Sequence, residues 1–187
     1  SASYYFQFVE GLRKDVAVID KELLRRSWYY NQLDNKYPWL TPSYKKEADV
    51  FLREVVPFEK EIPYDPQVIE GAYRNVMLAI LLNNMKDRTV FIGPEVFEKE
   101  IAGKEIVLPD SVRLVPDIFF YRLTTGDQYI PAPDPDFVFN SGGVENLYVD
   151  QIRALTGTML LRRAQYELAY KKKERAKVYI DKVIKDF

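Results

Sequence analysis

The fold prediction starts from residues 11–30, which read GLRKDVAVIDKELLRRSWYY. Residues 16–19 of this stretch, VAVI, are apolar at every position and rich in β-branched side chains, a pattern typical of a central strand in a parallel sheet. Residues 3–12 carry apolar side chains at helical spacing, which predicts a helix that feeds this strand. A helix followed by a strand is half of a βαβ unit, so we expect the partner strand upstream of Ser1.

Further helices are predicted at residues 23–35, 41–57 and 65–86. The second and third begin with Thr-Pro and Asp-Pro, which combine an N-cap residue with proline at the first helical position. The third helix is apolar around much of its circumference, so we expect it to be buried against the sheet. Residues 89–93 and 118–123 are predicted to be the other two strands.

The C-terminal part of the chain is predicted to leave the sheet. Residues 126–143 are rich in Pro and Gly and are typical of a surface loop. Residues 144–187 return to helical spacing around a polar turn and resemble one tetratricopeptide-type hairpin. We therefore predict an α/β domain over residues 1–125, with a short, mainly parallel three-layer sheet and helices on both faces, followed by the loop and the helical hairpin.

The absence of two residue types excludes several kinds of chemistry. The chain contains no Cys and no His, which excludes disulfides, thiolate metal sites, cysteine nucleophiles and a Ser-His-Asp triad. Any catalysis would have to use carboxylates, Lys, Tyr or a metal bound by oxygen ligands. Asp127, Asp134 and Asp136 offer such ligands, but the prolines around them fit a calcium loop poorly. We therefore expect no metal and no cofactor.

Net charge, hydropathy and the chain ends bear on the expected partners. The net charge is -1, which gives no global field for nucleic acid, so we expect no nucleic-acid partner. The longest apolar run, residues 76–82, is far shorter than the roughly 20 residues of a membrane-spanning helix. The chain begins at Ser1 without Met and ends at Phe187 within a helical pattern, so we expect it to be a fragment of a longer polypeptide.

Four segments carry a resemblance to a known family. They are YYFQFVEGLRKDVAVIDKELL at residues 4–24, SWYYNQL at 27–33, DRTVFIGPEV at 87–96 and RLVPDIFFYRL at 113–123. Together with the helical hairpin they resemble the soluble C-terminal region of large bacterial multi-spanning membrane proteins. That family is similar to protein O-mannosyltransferases and belongs to the polytopic glycosyltransferase superfamily. The chain departs from it at residues 19–22, IDKE, where the family commonly has an Asn-rich ending.

The resemblance implies a function as well as a fold. It implies that the spanning helices and any transferase site lie outside this chain, so no catalytic residue is carried over. The chain would then be a non-catalytic soluble module of a membrane-associated, glycosyltransferase-like protein, on the periplasmic side. Its expected partners are the remainder of its own polypeptide, a protein bound through the helical hairpin, and a second copy bound through the unpaired sheet edge.

An alternative function follows from the ends of the predicted strands, because ligands of open α/β sheets bind beyond the carboxyl ends of the strands. Asp20, Lys21 and Glu22 follow the first strand, and Gly93 and Glu95 follow the second. These residues would line a pocket for a sugar or a hard metal ion in a stand-alone carbohydrate-active or hydrolytic enzyme. The other interpretation is a charged strand end at which Asp20 caps the next helix.

Aromatic side chains offer a second candidate surface. Trp28, Tyr30 and Trp39 lie within one short stretch of sequence, and flat aromatic faces of this kind stack on glycans. Aromatic clusters also form protein cores and interfaces. The pattern leaves both interpretations open.

Overall fold

The structure is a computed structural model that describes residues 2–140, 142–143 and 146–187. The predicted start of the hairpin at Val144 lies outside the described residues. The chain divides after Lys86 into two compact units, which we call unit 1 (Ser1–Lys86) and unit 2 (Asp87–Phe187). The predicted α/β domain over residues 1–125 spans this boundary. Since 55% of the chain is helical, helices and not a sheet are the main element of the fold.

Unit 1 consists of helices joined by turns and by one longer non-helical stretch, residues 9–22. Its helices are α1 (Ala2–Phe8), α2 (Ser27–Lys36), α3 (Lys45–Glu59) and α4 (Pro66–Asn84), with single 3₁₀ turns at Leu23–Arg25 and Thr41–Ser43. At the start of α4, the Asp65 side chain accepts a hydrogen bond of 2.8 Å from the Gln67 N–H, which confirms the predicted cap. Helix α3 was predicted to end at Pro57, but it continues to Glu59 because the proline lies in its last turn.

The core of unit 1 is built from aromatic side chains on three helices. The Tyr30 and Phe51 ring centroids lie 5.7 Å apart, and those of Phe51 and Tyr73 lie 6.3 Å apart. All three rings are buried. The broadly apolar α4 is therefore buried as predicted, but against the aromatic face of α3 instead of a sheet.

The predicted central strand at residues 16–19 does not form. In the part of unit 1 that the structure describes, no residue belongs to a strand. We call residues 16–24 the extended segment, although its last residues form a turn and enter the 3₁₀ turn at Leu23. Its backbone bonds to side chains of other parts of unit 1 in place of a neighbouring strand. The strand predicted at residues 16–19 is therefore wrong: VAVI has the composition of a strand, but no strand lies beside it in the described part of unit 1.

Unit 2 contains a small antiparallel sheet. Its strands are β1 (Phe91–Ile92), β2 (Val112–Pro116) and β3 (Tyr121–Thr125), in the order β1-β3-β2, and both pairings are antiparallel. A short helix, α5 (Pro94–Val96), and one π-helical turn (Phe97–Ile101) follow β1. The prediction of a mainly parallel three-layer sheet is wrong. Because only residues 117–120 connect β2 to β3, the two strands must form a hairpin, and a parallel pair needs a much longer crossover.

Two antiparallel helices complete unit 2, and this C-terminal helical pair was predicted. Helix α6 spans Leu147–Ala169 and α7 spans Lys173–Asp186. The side chains of Ala164 and Ala176 are buried together with Leu160 and Tyr179 in one hydrophobic cluster. Small side chains at this position let the two helices approach closely, as the sequence indicated.

Candidate functional site

The five residues predicted to line a ligand pocket fall into two groups. Asp20, Lys21 and Glu22 lie in unit 1, whereas Gly93 and Glu95 lie in unit 2. They were expected to meet at the carboxyl edge of a parallel sheet. Since the structure contains no such edge in its described residues, the fold supplies no reason for these five residues to form one pocket.

Asp20 begins a helical turn. Its Oδ1 accepts hydrogen bonds from the backbone N–H groups of Glu22 at 2.9 Å and Leu23 at 3.3 Å, which confirms the capping interpretation. The Glu22 carboxylate lies 2.7 Å from Lys21 Nζ and 3.7 Å from Arg25 Nε. Both carboxylates therefore take part in local structural contacts that require no ligand.

Three of the candidate acidic side chains of unit 2 are also paired. Glu95 is exposed and lies 3.0 Å from Lys99, one helical turn away, and Gly93 is the residue that precedes α5. In the Pro-rich loop, Asp127 pairs with Arg113 and Asp134 pairs with Arg175. Among the described residues, no three Asp or Glu side chains come together as metal ligands.

The three aromatic surface candidates differ in exposure. Trp28 is 55% exposed and Trp39 is 39% exposed, so both rings can be reached from solvent. Tyr30 is only 3% exposed, and its hydroxyl donates to the Leu24 carbonyl at 2.8 Å. Tyr30 is therefore a core residue and cannot stack on a glycan.

The extended segment of unit 1 is held by helix side chains that the sequence analysis did not single out. The contacts are spread along its backbone. They join the Val16 carbonyl to Gln7 Nε2 at 2.8 Å, the Val18 N–H to the Tyr37 hydroxyl at 3.4 Å, the Asp20 N–H to the Tyr29 hydroxyl at 3.2 Å, and the Lys21 carbonyl to the Tyr73 hydroxyl at 3.0 Å. Tyrosine hydroxyls thus replace the ladder that a neighbouring strand would supply.

A similar arrangement in unit 2 holds the Pro-rich loop, and we call residues 127–137 the strap. On α6, Arg163 Nη2 donates to the Ile130 carbonyl at 2.8 Å, and the Tyr166 hydroxyl accepts from the Ile130 N–H, also at 2.8 Å. The Tyr170 hydroxyl donates to the Asp127 carbonyl at 2.8 Å. Two side chains of α6 and that of Tyr170, the residue directly after it, therefore fix the first part of the strap.

Helix α7 continues this row of donors along the rest of the strap. Its contacts join Arg175 Nη2 to the Ala132 carbonyl at 2.7 Å, the Tyr179 hydroxyl to the Pro133 carbonyl at 2.6 Å, and Lys182 Nζ to the Phe137 carbonyl. Burial raises the pKa of the Tyr179 hydroxyl, while the charges of Arg175 and Arg163 oppose that rise. The hydroxyl therefore keeps its proton at neutral pH and remains a donor.

A buried ion pair lies at the centre of this arrangement. Arg163 is 1% exposed and Glu167 is 0% exposed, and their side chains meet through Nη2 and Oε1 at 2.6 Å. Arg163 Nη1 also donates to the Pro116 carbonyl at 2.9 Å, and the Tyr129 hydroxyl donates to Glu167 Oε2 at 2.9 Å. The pair is buried but well supplied with partners, and it links the strap and β2 to α6.

The sequence did contain a signal for this site. Arg163, Tyr166, Glu167 and Tyr170 follow the i, i+3, i+4, i+7 spacing of one helix face. Apolar side chains at this spacing predict a buried face, whereas charged and hydroxyl side chains at the same spacing do not. A polar stripe on a helix is more often solvated than buried, so the sequence alone gave no reason to place these side chains in the core.

Unit 1 also has an open groove of about 400 Å³ between α3 and α4. Val50, Ala79 and Leu82 give it apolar walls, while Lys46 and Glu47 add charge. Such a groove can accept a few side chains of a partner. It contains a single carboxylate, so it lacks the pair of carboxylates that acid–base catalysis would use in a chain without His.

The chain matches no protein-family model, no curated protein and no solved structure. Within the described residues, no helix combines the length and the apolar character needed to cross a bilayer. The assignment of a function therefore depends on the geometry of the two units and on the resemblance of the four sequence segments.

Proposed function

We propose that this chain is a non-catalytic docking module that binds extended polypeptide segments. The observation that carries the proposal is the row of Arg, Tyr and Lys donors on α6 and α7 that ends on the backbone carbonyls of the strap. Proline-rich segments bind to aromatic-lined surfaces because their conformation is fixed before binding. The strap, with Pro131, Pro133 and Pro135 beside a face rich in tyrosine, follows the same chemistry.

The arrangement of the carboxylates supports the non-catalytic part of the proposal. Asp20 accepts two backbone hydrogen bonds, and Glu22 and Glu95 each lie in exposed ion pairs. A catalytic carboxylate in a chain without His would need a second acid or base within reach of the same substrate atom. None of these three contacts provides one.

We further propose that the module belongs to a larger, membrane-associated, glycosyltransferase-like protein and lies on its periplasmic side. The support for this part is the resemblance of residues 4–24, 27–33, 87–96 and 113–123. The remainder of that polypeptide is one partner. A second protein would bind the outer face of the helical pair, where Leu161, Leu168 and Ile184 are exposed.

An immunoblot of fractionated source cells tests the proposal for the larger protein. An antibody raised against this chain should detect a band far above 22.0 kDa in the membrane fraction. A band near 22.0 kDa in the soluble fraction would sink this part of the proposal. Stripping the membranes with alkaline carbonate provides the control, because a peripheral protein is released by this treatment and a tethered module is not.

A double substitution tests the enzymatic alternative. Asp20→Ala combined with Glu22→Ala should leave the binding of sugars and the hydrolysis of glycosides at the wild-type level. The double variant should be slightly less stable, because Asp20 no longer caps the turn. The matched control is Asp65→Ala, which removes the cap of α4 outside the candidate pocket. A loss of hydrolysis in the double variant that the control does not show would establish an enzyme.

A further inference from the structure

The strap of unit 2 is bound mainly through its carbonyl groups. We call the side chains of α6 and α7 that hold it the strap-binding face; they are Arg163, Tyr166, Arg175, Tyr179 and Lys182. The carbonyls that accept hydrogen bonds from this face belong to Ile130, Ala132, Pro133 and Phe137. Proline lacks an N–H but keeps its carbonyl, so a face that supplies donors accepts proline without loss. The strap indeed has proline at positions 131, 133 and 135.

Three positions of the strap show what the face selects in such a segment. Ile130 also donates its N–H to the Tyr166 hydroxyl at 2.8 Å, so this position requires a residue other than proline. Ala132 is 8% exposed, which leaves room for a small side chain only. Pro135 is buried as well. The face therefore fits a residue with an N–H, a small residue two positions later and a proline three positions after that.

Charge narrows the class of segment further. Residues 127–137 contain three Asp and no Lys or Arg, and cationic side chains of α7 meet them. Asp134 pairs with Arg175, and Lys182 donates to the Phe137 carbonyl. Opposite charges steer association, and like charges exclude a wrong partner. The segment that matches this face is therefore acidic as well as rich in proline.

The strap-binding face is held in place mainly by contacts outside the strap. The two helices pack on each other through buried side chains of both, which are Leu160, Ala164, Ala176 and Tyr179. Arg163 has two partners that do not belong to the strap, Glu167 on its own helix and the Pro116 carbonyl of β2. The donors are thus positioned in advance, which lowers the cost of binding a separate segment.

Glycines lie on both sides of the strap. Gly126 precedes it with a φ of +80°, and Gly142 lies a few residues beyond its end with a φ of +61°. Glycine adopts positive and negative φ about equally readily, so the chain can change direction at both places without strain. These ends allow the strap to swing away from the face as one piece.

We propose that the strap is an internal competitor, and that the strap-binding face takes up an acidic, proline-rich segment of another protein in its place. This inference rests on the proposed docking function and names the class of segment that is docked. Because the strap is tethered, its effective concentration at the face is on the order of millimolar. A segment of the partner must displace it, so the apparent affinity is lowered by the small fraction of molecules in which the face is open.

Binding of the strap sequence as a separate peptide tests the competition. The probe is a fluorescein-labelled peptide, DQYIPAPDPDF, which repeats residues 127–137. In the full chain, Ile130→Pro removes the N–H that bonds to Tyr166, and Asp134→Lys places a like charge beside Arg175. Fluorescence anisotropy should show that the peptide binds this double variant about tenfold more tightly than wild type. Asp134→Lys alone should give a smaller gain, and it replaces the double variant if thermal unfolding shows that the latter does not fold.

Further variants locate the binding and its specificity. Arg175→Gln, added to the double variant, should weaken peptide binding about tenfold, because the peptide loses a charged partner. Lys177→Gln is the matched control on the same helix, since Lys177 forms an exposed pair with Asp181, and it should change nothing. A peptide with Lys at the position that corresponds to Asp134 should bind more weakly by a similar factor.

The possible failures are distinguishable. Equal affinity of wild type and the double variant for the peptide would show that the strap is not a competitor. Equal affinity of the double variant for the acidic peptide and its Lys version would show that the face does not select an acidic segment. Both results overturn this inference and leave docking of extended segments intact. If the double variant bound neither of these peptides nor a version with Ala in place of each Pro, the docking function itself would fail.

Discussion

The two units anchor a backbone segment in the same way but with different chemical groups. Each holds an irregular backbone segment against helices through side chains. In unit 1 the donors and acceptors are neutral tyrosine hydroxyls and one glutamine, spread along residues 16–24. In unit 2 cationic side chains take a large share, and the most buried of them, Arg163, depends on Glu167.

This difference determines how the stability of each segment is divided among the side chains that hold it. Hydrogen bonds from charged donors are about twice as strong as neutral ones, but a buried charge must keep its counterion. Several side chains hold each segment, but in unit 2 one of them, Arg163, is a buried charge that needs Glu167 as its counterion, whereas in unit 1 the groups are neutral and independent. Loss of a single group should be severe in unit 2 and mild in unit 1.

The largest expected effect comes from Glu167→Ala. The substitution leaves Arg163 buried without its counterion, which should lower the free energy of unfolding by about 3–5 kcal/mol. Urea unfolding followed by circular dichroism measures the loss. Both tryptophans, Trp28 and Trp39, lie in unit 1, so their fluorescence serves as an internal control and should change little.

Two further variants test whether the unpaired buried charge causes the loss of stability in Glu167→Ala. Asp181→Ala breaks the exposed pair with Lys177 on α7 and should have no resolvable effect, because exposed ion pairs contribute little. Replacing Arg163 by Met and Glu167 by Leu together removes both charges and should recover much of the lost stability. If Asp181→Ala were as damaging as Glu167→Ala, burial of the pair would not be the cause.

A smaller effect is expected from Tyr30→Phe in unit 1. It leaves the Leu24 carbonyl without its buried donor, which should reduce stability by about 1–2 kcal/mol. Tryptophan fluorescence during urea unfolding reports this unit. Tyr64→Phe is the matched control, since Tyr64 is exposed, and it should be neutral. A loss as large as that of Glu167→Ala would contradict the idea of distributed anchoring.

The smallest effect is a difference in alkaline stability. Burial raises the pKa of Tyr30 and Tyr44 well above their ordinary value, which is about 10 in the unfolded chain. The stability that this difference contributes is fully present below pH 10, and it is lost as the pH rises from 10 towards the folded pKa. A single such tyrosine should cost about 1 kcal/mol between pH 10 and pH 11.

The readout for the alkaline effect is the slope of unfolding free energy against pH. Wild type should lose stability more steeply than Tyr30→Phe above pH 10, by roughly the contribution of one tyrosine. Below pH 9 the two slopes should coincide. Equal slopes above pH 10 would mean that the Tyr30 hydroxyl ionises in the folded protein as readily as in water.

The helices could be predicted from the sequence because their signals are local. Asp65 followed by Pro66 correctly marked the start of α4, and Ala164 and Ala176 correctly indicated two closely packed helices. The antiparallel hairpin was also within reach, since Pro116-Asp117 is a turn signal between two β-rich stretches. Reading residues 118–123 as a single strand concealed it.

The extended segment and the strap could not be predicted in the same way. The partners of Val18 and Asp20 are hydroxyls of Tyr37 and Tyr29, and no periodicity reveals that a tyrosine will bond to a backbone group distant in sequence. The buried face of α6 contains Arg163 and Glu167 beside Leu160 and Ala164, so a rule that buries only apolar side chains misses the charged part of this face.

Amide hydrogen exchange tests the central claim that single side chains hold the two segments. In wild type, the amides of Asp20 and Ile130 should exchange slowly, because they bond to the Tyr29 and Tyr166 hydroxyls. Tyr29→Phe should release the amide of Asp20 alone, and Tyr166→Phe should release that of Ile130 alone. Fast exchange of both amides in wild type, or slow exchange that survives the substitutions, would contradict the account.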